Sequence, residues 1–224
     1  MIPWTLLEKA PTPDTDKELR LYKHDTEYSI KVGTYELMNS RAHSSEDALG
    51  KLACQRISHH AQQHILIGGL GMGFTLRAAL NTLKSKACVT VAELIPAVVK
   101  WNRSFLSSLA EDPLDDKRVT VYEGDVADKI NTTRNFYHAI LMDVDNGAKG
   151  LTQNKNDSLY THKGLKAAYD ALQSKGVLAL WSASRDEAFT QRLQKTGFKV
   201  EEMRVSTHSG VKRGGQSIVW IAEK

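Results

Sequence analysis

The chain has 224 residues, 41% hydrophobic and 25% charged, with a net charge of +4; this is ordinary for one globular domain with a short appendage and enough length for a real core. Lysines and arginines are dispersed among the acids with no block of like charge, so no electrostatic footprint for nucleic acid or a membrane surface is visible, and no run approaches a membrane-spanning length. Cys54 and Cys88 are too few and too far apart for a metal knuckle, so no metal site is expected, and two unpaired cysteines with no secretory leader pattern indicate a cytoplasmic protein.

Residues 1–15 carry Pro3, Pro11 and Pro13 and read as a loosely attached lead-in. From Glu18 to Met38 the pattern alternates, giving two or three short antiparallel strands. The polar segment Asn39–Asp47 follows, with Ser44 or Ser45 placed to cap a helix reaching about Ser58. Arg41 and Glu46 sit in that segment as candidates for substrate contact. These elements form a first unit, residues 1–60, ahead of a second spanning 61–224.

The second unit opens on an apolar strand, Ile65-Leu66-Ile67, that enters Gly68-Gly69-Leu70-Gly71-Met72-Gly73 and leaves as a helix from Thr75. Strand, glycines and helix in that order fit a cofactor loop at the first turn of a βαβ unit, where the missing Cβ lets backbone N–H groups approach a ligand. A second strand, Cys88–Ala92, ends in Glu93. Glu93 follows Gly73 at about 20 residues, the interval at which such units place the acid that binds ribose hydroxyls. Pro96 fits the first turn of a helix carrying Val98, Val99, Trp101, Phe105 and Leu109. A third strand leads to Glu123-Gly124-Asp125-Val126 and a fourth, at 138–143, to Asp143-Val144-Asp145-Asn146-Gly147. Acidic or glycine-rich turns therefore end four successive strands, on the sheet edge where open α/β folds bind ligands.

The polar stretch 145–156 reads as a lid or binding loop, followed by Tyr160, a helix at 164–173, a strand at 177–182 and a helix at 185–196 that stops at Gly197. Strands at 199–206 and 217–222 form an antiparallel pair. The expected fold is α/β, a Rossmann-like seven-stranded mixed sheet with helices on both faces, preceded by a small N-terminal β appendage.

These motifs resemble the class I S-adenosylmethionine-dependent methyltransferase superfamily, and most closely its spermidine synthase branch. The resemblance rests on Ile67-Gly68-Gly69, Thr75-Leu76-Arg77, Val91 to Val98, Arg118 to Asp125, Ile140 to Asp143 and Lys175 to Leu178. It implies S-adenosylmethionine as cofactor. Gly69, Gly71 and Gly73 would pass beneath the sulfonium and methionine part, and Glu93 would hold the ribose. Asp125 and the Val126 backbone would meet the adenine, and Asp143 would face the sulfonium.

Three departures from that branch rank the activities. The G-G-G-D-G-G loop lacks its aspartate here, the D-x-x-D-P-x-G-P loop is replaced by Asp143-Val144-Asp145-Asn146-Gly147-Ala148, and the tyrosine of D-E-x-x-Y-H-E is absent from Ser44–Gly50. Methyl transfer to a small-molecule nucleophile is therefore the leading expectation, with Asp143 and Asp145 catalytic and Asn146 and Tyr160 as further substrate candidates. The alternatives are aminopropyl transfer from decarboxylated S-adenosylmethionine to a diamine, and nucleoside binding without catalysis. The expected partners are a small-molecule acceptor and a second copy in a homodimer.

Overall fold

The computed structural model describes residues 3–13, 17–144, 158–206 and 216–224. Four strands, β1 (Thr5–Pro11), β2 (Glu18–His24), β3 (Glu27–Val32) and β4 (Tyr35–Asn39), pair in chain order as an antiparallel sheet. The lead-in is thus a strand. Pro11 is tolerated because β1 is the edge strand, and Pro11 closes it. Leu19, Leu21, Ile30 and Val32 point from this sheet into the main core.

Helix α1 (Ser44–Arg56) connects the two sheets and packs on α2 (Phe74–Thr82). Neither serine caps it. The N-cap is His43, whose Nδ1 lies 2.7 Å from Asp47 Oδ2. The remaining strands are β5 (His64–Gly68), β6 (Cys88–Glu93), β7 (Val119–Glu123), β8 (Tyr137–Met142), β9 (Leu172–Ser182), β10 (Lys199–Ser206) and β11 (Gln216–Glu223). They form a seven-stranded sheet ordered β10-β11-β9-β8-β5-β6-β7, parallel except for β11, which runs antiparallel to both β9 and β10. The expected seven-stranded mixed sheet is therefore present.

Helices α3 (Pro96–Asn102), α4 (Val126–Asn131), α5 (His162–Ala171) and α6 (Glu187–Thr196) complete the fold. Successive strand side chains point to opposite faces. Ile65 and Ile67 accordingly join the core under α1, α2 and the four-stranded sheet, whereas Leu66 joins the core beneath α4, α5 and α6. Helix α3 begins on Pro96 as expected but ends at Asn102, because the chain then tightens into a 3₁₀ turn at Ser107–Ala110. Phe105 consequently falls outside the core and is exposed. Gly197 stops α6 with φ +112°. Among the described residues, no helix is long and apolar enough to cross a membrane.

Strand order reverses between β5 and β8, which lie side by side with Gly68 opposite Met142. Parallel α/β sheets open a crevice at the carboxyl ends of strands on either side of such a point. The Gly68 carbonyl accepts the Asp143 N–H at 2.8 Å, and the Gly69 N–H bonds the Ala92 carbonyl at 2.8 Å. These bonds hold the glycine turn and the Asp143 turn against one another.

Candidate active site

Gly69, Gly71 and Gly73 all take positive φ, at +91°, +53° and +86°. Gly69 has no room for a side chain, since a Cβ there would lie 2.1 Å from the Asp143 carbonyl oxygen. The turn therefore needs glycine both for its backbone conformation and for its contact with the neighbouring strand.

Two chambers open at this edge. The first, about 780 Å³ including its mouth, has a polar floor of Gly69, Gly71, Glu93, Asp125 and Asp143 with Val126 beside them. Its apolar walls are Leu19, Ile30 and Leu37 from the four-stranded sheet and Ile95 and Val98 from the α3 side. The second, about 1050 Å³ with its mouth, is lined by Glu36, Asn39, Glu46, Phe74, Asp143 and Trp181 among others. Leu37, Met38, Gly71, Asp143 and Val144 border both chambers. Asp143 therefore stands at their junction.

Glu93 is buried and both its oxygens are engaged: Oε2 accepts the Leu70 N–H and Oε1 the Ile95 N–H, each at 2.9 Å. Burial raises its pKa, and these backbone donors act in the opposite sense. A carboxylate oxygen has more than one acceptor position, so Glu93 shapes the glycine loop while still facing the chamber. Asp125 caps α4, with Oδ1 accepting the Ala127 N–H at 2.8 Å.

Asp143 is held from two sides. Thr75 Oγ1 donates to Oδ2 at 2.7 Å and Trp181 Nε1 donates to Oδ1 at 2.9 Å. Burial pushes its pKa up to about 6 against those two donors, and the Glu93 carboxylate adds to the rise. Glu46, in the first turn of α1, is pushed up to about 7 by burial and by the Asp143 charge, while the Ser45 hydroxyl bond and His43 pull it down. Glu36 at the rim is tied by Ser29 Oγ and Asn39 Nδ2, each at 2.7 Å. Burial opposes ionisation of Glu36, but these bonds and the charges of Lys31 and Arg41 outweigh it and lower its pKa.

The structure thus gathers Gly69, Gly71, Glu93, Asp125, Val126 and Asp143 around one chamber and puts Glu46 in the next. Gly73 is not on either wall. It starts α2, facing Asn102 and Ala110, and its place is architectural. Arg41 points out to solvent and pairs with Glu27 at 3.5 Å. Tyr160 lies in the other core, edge-on to Phe189 at 5.9 Å between ring centres, away from both chambers. Asp145, Asn146 and the rest of the 145–156 loop lie outside the described residues. Sequence reasoning passed over Glu36, Phe74, Thr75 and Trp181. Trp181 sits near the C-terminal end of β9, the ligand edge, and that position was the available signal.

Residues 48–204 match the spermine/spermidine synthase domain model. A polyamine aminopropyltransferase of Sulfolobus acidocaldarius is 35% identical over 88 residues, covering 39% of this chain and 29% of that protein. One from Prochlorococcus marinus is 27% identical over 152 residues, covering 65% of this chain and 51% of the relative. The chain therefore aligns with about half or less of these curated relatives. The spermidine synthase structure from Thermotoga maritima superposes with TM-score 0.76 at 18% identity, over 98% of this chain and 72% of that one. A spermidine synthase in complex with the transition state analogue AdoDATO gives 0.75 at 17% identity, over 98% and 72%. These two likenesses establish the fold. The family match and the named relatives overturn methyl transfer as the leading reading. That ranking rested on missing motif residues, and it did not foresee a second chamber furnished with acids and aromatic rings from other elements.

Proposed function

This chain belongs to the spermine/spermidine synthase family, and from that premise we propose that it is an aminopropyltransferase, with decarboxylated S-adenosylmethionine as donor and a diamine as acceptor. The observation that carries this reading is the second chamber, where Glu36, Glu46 and Asp143 stand with Phe74 and Trp181. A diamine arrives as a dication, and a site for it needs several carboxylates and aromatic faces to replace its hydration.

The first chamber fits the donor's adenosine. Asp125 stands beside the backbone of Val126, Glu93 faces the middle, and the glycine backbone leaves space toward Asp143. The donor supplies an electrophilic carbon bonded to a positively charged sulfur, with a thioether as leaving group. Thr75 and Trp181 fix the Asp143 carboxylate at the junction, where it attracts the acceptor ammonium and the sulfonium into line. Such prior orientation supplies a large part of the rate of a displacement. Leu37, Met38 and Val144 border the junction and limit water there.

Calorimetric titration of the purified chain with decarboxylated and intact S-adenosylmethionine tests the donor assignment. The intact form carries one more carboxylate, which would approach the Asp143 and Glu46 carboxylates. Tighter binding of the decarboxylated form, by tenfold or more (about 1.4 kcal/mol), is expected; equal or reversed affinity contradicts the proposal.

A further inference from the structure

Resting on the reading of the first chamber as the donor site, we propose that Asn102 is a positioning residue for the donor, acting through the Gly71 backbone where the two chambers meet. Asn102 is the last residue of α3 and is 2% exposed. Its Nδ2 donates to the Val98 carbonyl of its own helix at 2.9 Å and to the Gly71 carbonyl at 2.8 Å. Both amide hydrogens are thereby used. Two carbonyl oxygens at one end of the carboxamide require nitrogen there, because the flipped group would set oxygen against oxygen. Oδ1 is left buried without a hydrogen-bond partner among the described residues, 3.1 Å from where a Gly73 Cβ would stand. An unmet buried acceptor costs free energy, so this orientation is held by the two bonds the nitrogen makes. The Val98 bond stays within the helix. The Gly71 bond reaches out of it to the glycine loop.

The loop needs such a tether because glycine restrains the backbone so little. Its first half is held from β6, with the Gly69 N–H on the Ala92 carbonyl at 2.8 Å and the Leu70 N–H on Glu93 Oε2 at 2.9 Å. The Gly71 N–H adds to the backbone donors that favour the ionised form of Glu93. Further along, the Gly73 N–H closes on the Leu70 carbonyl at 2.8 Å. The Gly71 carbonyl is held from the α3 side, by Asn102.

Gly71 borders both chambers beside Asp143. A shift there moves the floor under the sulfonium and its propyl arm. Glu93 and Asp125, which face the adenosine, keep backbone donors of their own from Leu70, Ile95 and Ala127. Loss of the Asn102 tether therefore separates the two halves of the donor: the reacting end is displaced and the adenosine end is kept.

Asn102→Ala removes both bonds. Asn102→Ser divides them, since a helical serine hydroxyl bonds the carbonyl four residues back and its shorter side chain falls short of Gly71. The parent and both variants, each as the full chain, are titrated calorimetrically with decarboxylated S-adenosylmethionine and with adenosine. They are then assayed for spermidine formation from putrescine and checked by thermal melting. In both variants the decarboxylated donor is expected to bind about tenfold more weakly, with adenosine affinity within about twofold of the parent. The kcat is expected to fall about tenfold or more, because a misplacement of about 1 Å costs up to about 10²-fold. Asn102→Ser keeps the helix bond and serves if the alanine variant fails to fold. A serine variant with donor affinity and kcat within about twofold of the parent overturns the proposal. So does an equal loss of affinity for donor and adenosine, which would make Asn102 a support for the whole chamber. A parent that binds donor but forms no spermidine defeats the aminopropyl reading and leaves the two affinities to decide on Asn102. A folded parent that binds neither probe defeats the donor chamber and this inference together.

Discussion

Asp143 receives two hydrogen bonds of different kinds, and the difference allows it to be tested without loss of fold. The Thr75 hydroxyl is able to reverse its bond, whereas the Trp181 N–H is not. Asp143→Asn therefore keeps a carbonyl oxygen for Trp181 and presents its amide to Thr75, which then accepts. The variant is expected to melt within a few degrees of the parent while losing about 10²–10³-fold in kcat, because the negative charge at the chamber junction is gone. Stopped-time assays of spermidine formation, read beside a thermal melt, check both halves. Unchanged turnover would show that the junction charge does not matter to the reaction.

At the scale of elements, the device that makes the site is the contact between the β5–α2 turn and the residues following β8. Gly69 has φ +91°, and a Cβ there would overlap the Asp143 carbonyl. Gly69→Ala is thus expected to cost about 2–5 kcal/mol, read as a lower midpoint in urea, and to weaken donor binding as the turn is pushed off Asp143. A variant with parental stability would mean that the turn has another packing available. This turn was legible in the sequence because its signal is local: apolar run, glycines and helix lie within about a dozen residues, and Glu93 and Asp125 end the next two ligand-edge strands in motif order. The second chamber was not legible, because its walls come from β4, α1, α2 and β9 and meet only through sheet order. Trp181 reads as strand core, and Glu36 as the polar half of an alternating hairpin. Tyr160 shows the converse: its place after a polar loop suggested a site, but an aromatic ring there found more apolar surface to bury against Phe189. The β1 strand was missed because its prolines outweighed a pattern that becomes visible only with β2 beside it.

For the molecule as a whole, the buried titratable groups set opposing pH limits on stability. Glu46 and Asp143 are raised to about 7 and about 6, so the folded chain holds protons that the unfolded chain releases. Their contribution is greatest in acid and is lost as pH rises from about 4 through 7. His138 is lowered to about 4 by burial and then by the charges of His60, His64 and His59. The unfolded chain protonates it first, so that contribution is present above about pH 6.5 and is lost as pH falls toward 4. His138 Nδ1 accepts the His64 N–H at 3.0 Å, joining β8 to β5 beneath the site. His138→Asn retains an acceptor there. Its melting midpoint is expected to fall less than the parent's between pH 6.5 and 4.5; an equal fall would place the acid sensitivity elsewhere.

The most direct measurement for the whole account is the identity of the transferred group. The purified chain is incubated with putrescine and both donors, decarboxylated and intact S-adenosylmethionine, and the products are weighed by mass spectrometry. Spermidine appearing together with methylthioadenosine is the expected result. Methylated putrescine with S-adenosylhomocysteine, or no product from a chain that binds the donor, would contradict it.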